Sequence, residues 1–199
     1  MISNYELYLN NLEDRLATYF ENQSEYIKCK KGCSLCCEKG DYPFSQKEFD
    51  YAVKGYQKLL PELQVKIQSN IQSIKKEKMQ RKGATTPFFY RCPFLIDGAC
   101  SIYNFRGIIC RTYGLIFSKK NNDRMEYLTP YCVNNGLNYS EVYDFEQKKI
   151  SLKKFQVSGY LNEPLAYNLC LSDLLKESAA NDLNIFFGEE KPLIEWFEG

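Results

Sequence analysis

The chain has 199 residues, with 26 basic against 25 acidic, a formal net charge of +1 and 44% apolar residues. That balance excludes a disordered chain and gives no electrostatic footprint for nucleic acid or an anionic membrane surface. Nine Cys and no His exclude every His-containing metal site and every His-based triad, so a soft-metal site here is thiolate-rich.

The length predicts one domain over residues 1–199, with a motif region at 29–132 and a C-terminal helical part at 140–199. The N-terminal stretch MISNYELYLNNLEDRLATYF has no basic start followed by an apolar run, and no stretch reaches about 18 apolar residues. The expectation is a cytoplasmic protein with no membrane span. Thiols in that compartment stay reduced, so clustered Cys point to metal ligands or redox groups rather than structural disulfides.

In chain order, Ser3 and Glu6 have capping-box spacing, and Tyr5, Leu9, Leu12, Leu16, Tyr19 and Phe20 recur at helical period, predicting a helix over residues 4–22. Ser45 and Glu48 repeat the box, and Phe49, Ala52, Val53, Tyr56, Leu59 and Leu60 mark a second apolar face. Pro61 opens a third helix carrying Leu63, Ile67, Ile71 and Ile74. Its basic end, KKEKMQRKG, reads as dipole complement closed by Gly83 rather than as a nucleic-acid patch.

The middle of the chain changes character. Residues 88–90, 115–117 and 125–128 read as short strands, Asp97 and Gly98 as a tight turn, 104–111 as a short helix and SKKNNDR as a polar loop. Residues 140–146 and 164–180 read as helices, and KPLIEWFEG as a docking helix presenting Leu193, Ile194, Trp196 and Phe197. The fold class is mainly α (α+β), helical with a small β element around a cysteine-rich core.

The stretch CKKGCSLCC places Cys29, Cys33, Cys36 and Cys37 at offsets that fall on one helical face, within an arc of roughly 100°. A buried core stripe is one reading. Against it, Gly32 weakens a helix by roughly 1 kcal/mol relative to Ala, and a core stripe has no reason to use Cys four times. Ligation is the other reading, because one face converges several sulfurs. The adjacent Cys36 and Cys37 could serve two neighbouring centres, or one centre and a reserve thiol. Lys28, Lys30 and Lys31 favour the thiolate. Cys29, Cys33 and Cys36 also have the C-x3-C-x2-C spacing of radical S-adenosylmethionine enzymes. That motif follows the first strand of a parallel barrel, whereas here it follows a long helix. Cys170 sits apart among apolar neighbours and reads as a small core residue.

The second group, RCPFLIDGACSIYNFRGIICRTYG, adds Cys92, Cys100 and Cys110. C-x3-C-x2-C-C, then C-P-F-L, G-x-C-x-I-Y, an Arg and C-R-x-Y together resemble the YkgJ-type cysteine-cluster family, described as zinc- or iron-chelating, from about Cys29 to Cys132. The family usually has Pro after the first Arg, whereas Gly107 follows Arg106 here. The resemblance implies a metal centre of eight ligands, Cys29, Cys33, Cys36, Cys37, Cys92, Cys100, Cys110 and Cys132, holding zinc or an iron–sulfur cluster. Some larger members look like flagellin lysine N-methylases. That makes an S-adenosylmethionine- or iron–sulfur-dependent protein-modifying enzyme one alternative, and a metal carrier or sensor another. No glycine-rich nucleotide loop and no catalytic base supports the enzyme independently. The implied partners are the metal ion and a protein or peptide, with no nucleic acid and no membrane. A thiolate centre carries net negative charge, which Arg111 is expected to offset; Arg106 stands evenly between that role and a surface ion pair. Tyr103 and Tyr113 read as packing around the site.

Overall fold

A computed structural model describes residues 2–30, 32–81, 86–121 and 124–198. In chain order the elements are α1 (Asn4–Asn22), α2 (Leu35–Glu38), β1 (Pro43–Ser45), α3 (Gln46–Gln57), α4 (Pro61–Gln80), β2 (Leu95–Ile96), β3 (Ala99–Cys100) and α5 (Ile108–Thr112). There follow β4 (Ile116–Asn121), β5 (Arg124–Leu128), β6 (Tyr143–Asp144), β7 (Lys149–Ile150), α6 (Leu152–Ser158), β8 (Ala166–Tyr167), α7 (Leu171–Leu174), α8 (Ser178–Asp182) and β9 (Glu190–Pro192). Four 3-10 turns lie at Tyr103–Phe105, Tyr131–Asn135, Asn138–Glu141 and Leu193–Phe197. The protein is mainly helical with small sheets, an α+β fold. Among the described residues no helix is long and apolar enough to cross a membrane.

The chain divides into two compact units, one of residues 1–31 and 111–185, the other of residues 32–110 and 186–199. In the first, the capping box of Ser3 and Glu6 starts α1, whose Tyr5, Tyr8, Leu9, Leu12 and Leu16 form the buried stripe. The Tyr8 hydroxyl donates to the Leu174 carbonyl at 3.1 Å, and Arg15 pairs with Glu177 at 2.9 Å. A three-stranded sheet runs β5–β4–β8, antiparallel between β4 and β5 and parallel between β4 and β8. Tyr26, Ile116, Tyr139 and Val142 are its buried centre.

In the second unit β1 pairs antiparallel with β9, so Phe44 faces Lys191 across the pair. α3 starts at the capping box of Ser45 and Glu48, and α4 at Pro61, whose fixed φ and missing N–H suit a first helical position. The basic end of α4 has local partners: the Lys75 ammonium donates to the Phe197 carbonyl, and Lys78 pairs with Glu195 and Glu198. These contacts fix the 3-10 turn 193–197 against α4. Gly83, the expected helix stop, lies outside the described residues, as does Lys31.

The later elements depart from the periodicity. Residues 164–180 hold a strand and two short helices, because Ile116 and Phe117 draw Ala166 and Tyr167 into parallel pairing. The segment 140–146 ends a 3-10 turn and enters β6, which pairs with β7. KPLIEWFEG enters on a strand and continues as a 3-10 turn, because β9 pairs with β1. SKKNNDR is mostly strand: β4 runs through Asn121 and β5 starts at Arg124, with residues 122–123 outside the described set. Residues 88–90 contribute one bridge, from Tyr90 to Gly40, rather than a strand. Where β8 pairs with β4 and β9 with β1, long-range pairing overrides a local preference.

Candidate metal centre

CKKGCSLCC is not a continuous helix. Gly32 stands at φ +89°, in the left-handed region that favours Gly, and only Leu35–Glu38 is helical. Cys29 and Cys33 are exposed, while Cys36 and Cys37 are half-buried, so the core-stripe reading does not hold. The cysteines fall in different units: Cys33, Cys36, Cys37, Cys92, Cys100 and Cys110 in one, Cys29, Cys132 and Cys170 in the other.

In the six-cysteine unit a short backbone ladder joins the two sequence groups. The Cys92 N–H donates to the Cys37 carbonyl at 2.8 Å, and Gly40 and Tyr90 exchange a pair of bonds at 3.1 Å. The Tyr42 hydroxyl anchors the same stretch by donating to the Cys36 carbonyl at 3.2 Å. Pro93 lacks an N–H, and the turn after it is closed by the Leu95 N–H donating to the Cys92 carbonyl at 3.0 Å, with the Phe94 and Leu95 amides lowering the Cys92 thiol against burial. Asp97 (φ +49°) and Gly98 (φ +78°) close the β2–β3 hairpin, both central residues being left-handed as a type I′ turn requires. That register sets Cys100 opposite Leu95, and the Ile102 backbone amide lowers the Cys100 thiol against burial. These amides act against burial, which still holds both thiols above their ordinary pKa.

Cys110 is placed by Glu48. The buried Glu48 carboxylate accepts from the Ser45 N–H at 2.8 Å, the Ser45 hydroxyl at 2.7 Å and the Ile108 N–H at 2.7 Å. One side chain therefore completes the box of α3 and caps the first turn of α5. Burial pushes the Glu48 carboxyl up to about 7 despite these donors.

Burial also raises the thiols, Cys37 to about 11 and Cys92, Cys100 and Cys110 likewise upward. Their charges act on one another: Cys100 on Cys37, Cys37 and Cys100 on Cys92, and all three on Cys110. Several thiolates in one low-dielectric volume repel, and a bound cation reverses that penalty by displacing the protons. The donor set is entirely soft sulfur with N–H support, which fits zinc or iron. Among the described residues no three Cys, Asp or Glu side chains come together closely enough to hold a metal ion as they stand.

In the other unit Cys132 is the first cause that pushes the Cys29 thiol up, ahead of burial, and Asn138 acts against them. Asn138, 1% exposed and at φ +48°, holds the surrounding backbone. Its amide N–H donates to the Gly114 carbonyl at 2.8 Å, its carbonyl accepts from the Lys28 N–H at 3.0 Å, and its nitrogen lies 3.6 Å from the Cys29 sulfur. Cys170 is buried, with its sulfur 4.0 Å from the Ser118 carbonyl.

The two arginines differ. Arg106 lies with its guanidinium 4.0 Å over the exposed Tyr103 ring, and its charge lowers the Cys100 thiol against the upward push of burial. Arg111 is buried and ion-paired with Glu13. Gly107 is pressed against Phe44: an added Cβ would meet its ring at 2.6 Å.

Sequence reading identified Glu48 as a cap but not its reach to Ile108, and it missed Asn138. Asn tolerates positive φ better than other non-Gly residues, which was the only local clue.

No curated protein and no solved structure matches the chain. A family model named CxxCxxCC, described as "Putative zinc- or iron-chelating domain", matches residues 28–133. With more than half of its length matched, the chain belongs to this CxxCxxCC family.

Proposed function

We propose that the protein chelates zinc or iron through Cys29, Cys33, Cys36, Cys37, Cys92, Cys100, Cys110 and Cys132, with Cys37, Cys92, Cys100 and Cys110 as a tetrathiolate core. The match of residues 28–133 to a zinc- or iron-chelating family carries this reading, and the backbone ladder from Cys37 to Cys92 with the β2–β3 hairpin at Cys100 supports it. Four thiolates around a divalent ion leave net negative charge. The backbone N–H groups at Cys92 and Cys100, together with Arg106, offset it.

Metal analysis and a visible spectrum of anaerobically purified protein test the proposal. Zinc gives a colourless protein with stoichiometric metal, and an iron–sulfur cluster gives broad visible absorbance that bleaches on reduction. Cys92→Ser and Cys110→Ser lose the bound metal, while Cys170→Ser keeps it. A folded protein with nine titratable thiols and no affinity for zinc or iron would sink the reading.

A further inference from the structure

The end of α3, the end of β3 and the 3-10 turn Tyr103–Phe105 line a cavity of about 220 Å³ that opens to solvent within the six-cysteine unit. Among the described residues, Cys100 is the one cysteine in its walls, and no carboxylate lines it. Gly55, in the last turn of α3, lets the turn seat against the helix: an added Cβ would meet the Phe105 ring at 2.6 Å. Lys58, also in the wall, is exposed, and its ammonium lies 4.6 Å from the Phe105 ring centroid. No ion pair among the described residues uses Lys58. The Arg106 guanidinium, 4.0 Å over the Tyr103 ring, adds a second positive charge beside the cavity. The carbonyls that end α3 would oppose an anion, but the Gln64 side-chain amide donates to those of Tyr56 at 3.3 Å and Leu59 at 3.0 Å. A positive approach of this kind repels a bare metal cation and attracts an anion.

We propose that this cavity is the entrance through which metal reaches Cys100, and that it admits the metal as an anionic carboxylate chelate rather than as the bare cation. The Cys100 sulfur forms a bond to the metal, one carboxylate oxygen of the chelator lets go, and the thiol proton passes to the freed carboxylate or to water. The metal keeps its oxidation state. Further thiols replace the remaining donors in the same way, and the chelator departs. This entrance rests on the chelation proposed above and names the form in which the cargo arrives.

Stopped-flow uptake of zinc by the full, metal-free chain tests this, with zinc supplied either as the monoanionic nitrilotriacetate chelate or as the aquo cation. Ferrous iron is supplied in the same two forms under anaerobic conditions if zinc is not taken up. Lys58→Gln and Lys58→Glu are compared with wild type at low and at high salt. At low salt Lys58→Glu is expected to slow uptake from the chelate about threefold and to speed uptake from the aquo cation, with Lys58→Gln between. Salt is expected to shrink both differences. Equilibrium metal affinity and thermal unfolding are expected to match wild type, which separates a charge effect on entry from a structural one. Rates that ignore Lys58, or that shift in the same direction for both metal sources, would overturn the entrance and leave chelation standing. A chain that takes up neither metal from either source overturns both.

Discussion

The two units treat sulfur differently. In one, burial raises the Cys92 and Cys100 thiols, while nearby backbone amides at both and the Arg106 cation at Cys100 act against it. In the other, the Cys29 sulfur has a second thiol and an Asn amide as neighbours. The arginines divide the same way, Arg106 acting on Cys100 and Arg111 paired with Glu13. Residue type alone does not set the chemistry of a cysteine. The burial and the neighbouring groups that the fold gives each sulfur set how tightly it holds its proton.

The largest expected effect separates the units directly. Cys110→Ser should weaken metal binding by more than about 100-fold, beyond the range for residues that only support ligands, while Cys29→Ser leaves most of the bound metal in place. Metal competition assays measure both, and equal losses would erase the contrast.

Next comes Glu48, which orders the six-cysteine unit. Glu48→Ala strands the Ser45 and Ile108 N–H groups and should cost about 3 kcal/mol in urea unfolding. Its carboxyl is raised from the ordinary 4.5 to about 7 by burial. Between those values the folded protein keeps a proton that the unfolded chain has released. The contribution of this group to stability is therefore full below the lower value and is lost as pH rises through the upper one. The non-titrating Glu48→Gln should flatten the profile between about pH 5 and about pH 8.

Asn138 is the counterpart in the other unit. Asn138→Ala removes its bonds to Lys28 and Gly114 and leaves a Cβ at positive φ, for an expected loss of about 2 kcal/mol. Asn138→Gly relieves the backbone part only, so it should fall between Ala and wild type in thermal unfolding. The smallest contrast is between the arginines. Arg111→Gln should lower stability by about 1–2 kcal/mol, its partner Glu13 being partly exposed, with metal affinity unchanged. Arg106→Gln should lower metal affinity about 10-fold with little change in unfolding. A reversed pattern would break the assignment of the two cations.

The sequence by itself determined the three long helices, their capping boxes, the Pro61 start and the turn at Asp97 and Gly98, because these depend on residues three or four apart. It also determined the family, since the cysteine spacings and their flanks are local text. Tertiary structure decided the company each cysteine keeps. Cys37 meets Cys92 through a ladder between segments distant in sequence, Glu48 reaches Ile108, and Asn138 reaches Gly114 and Lys28. Helical phase suggested that the sulfurs of CKKGCSLCC share one face. A left-handed Gly32 broke that phase, and each sulfur took its environment from the backbone groups that long-range pairing brought to it.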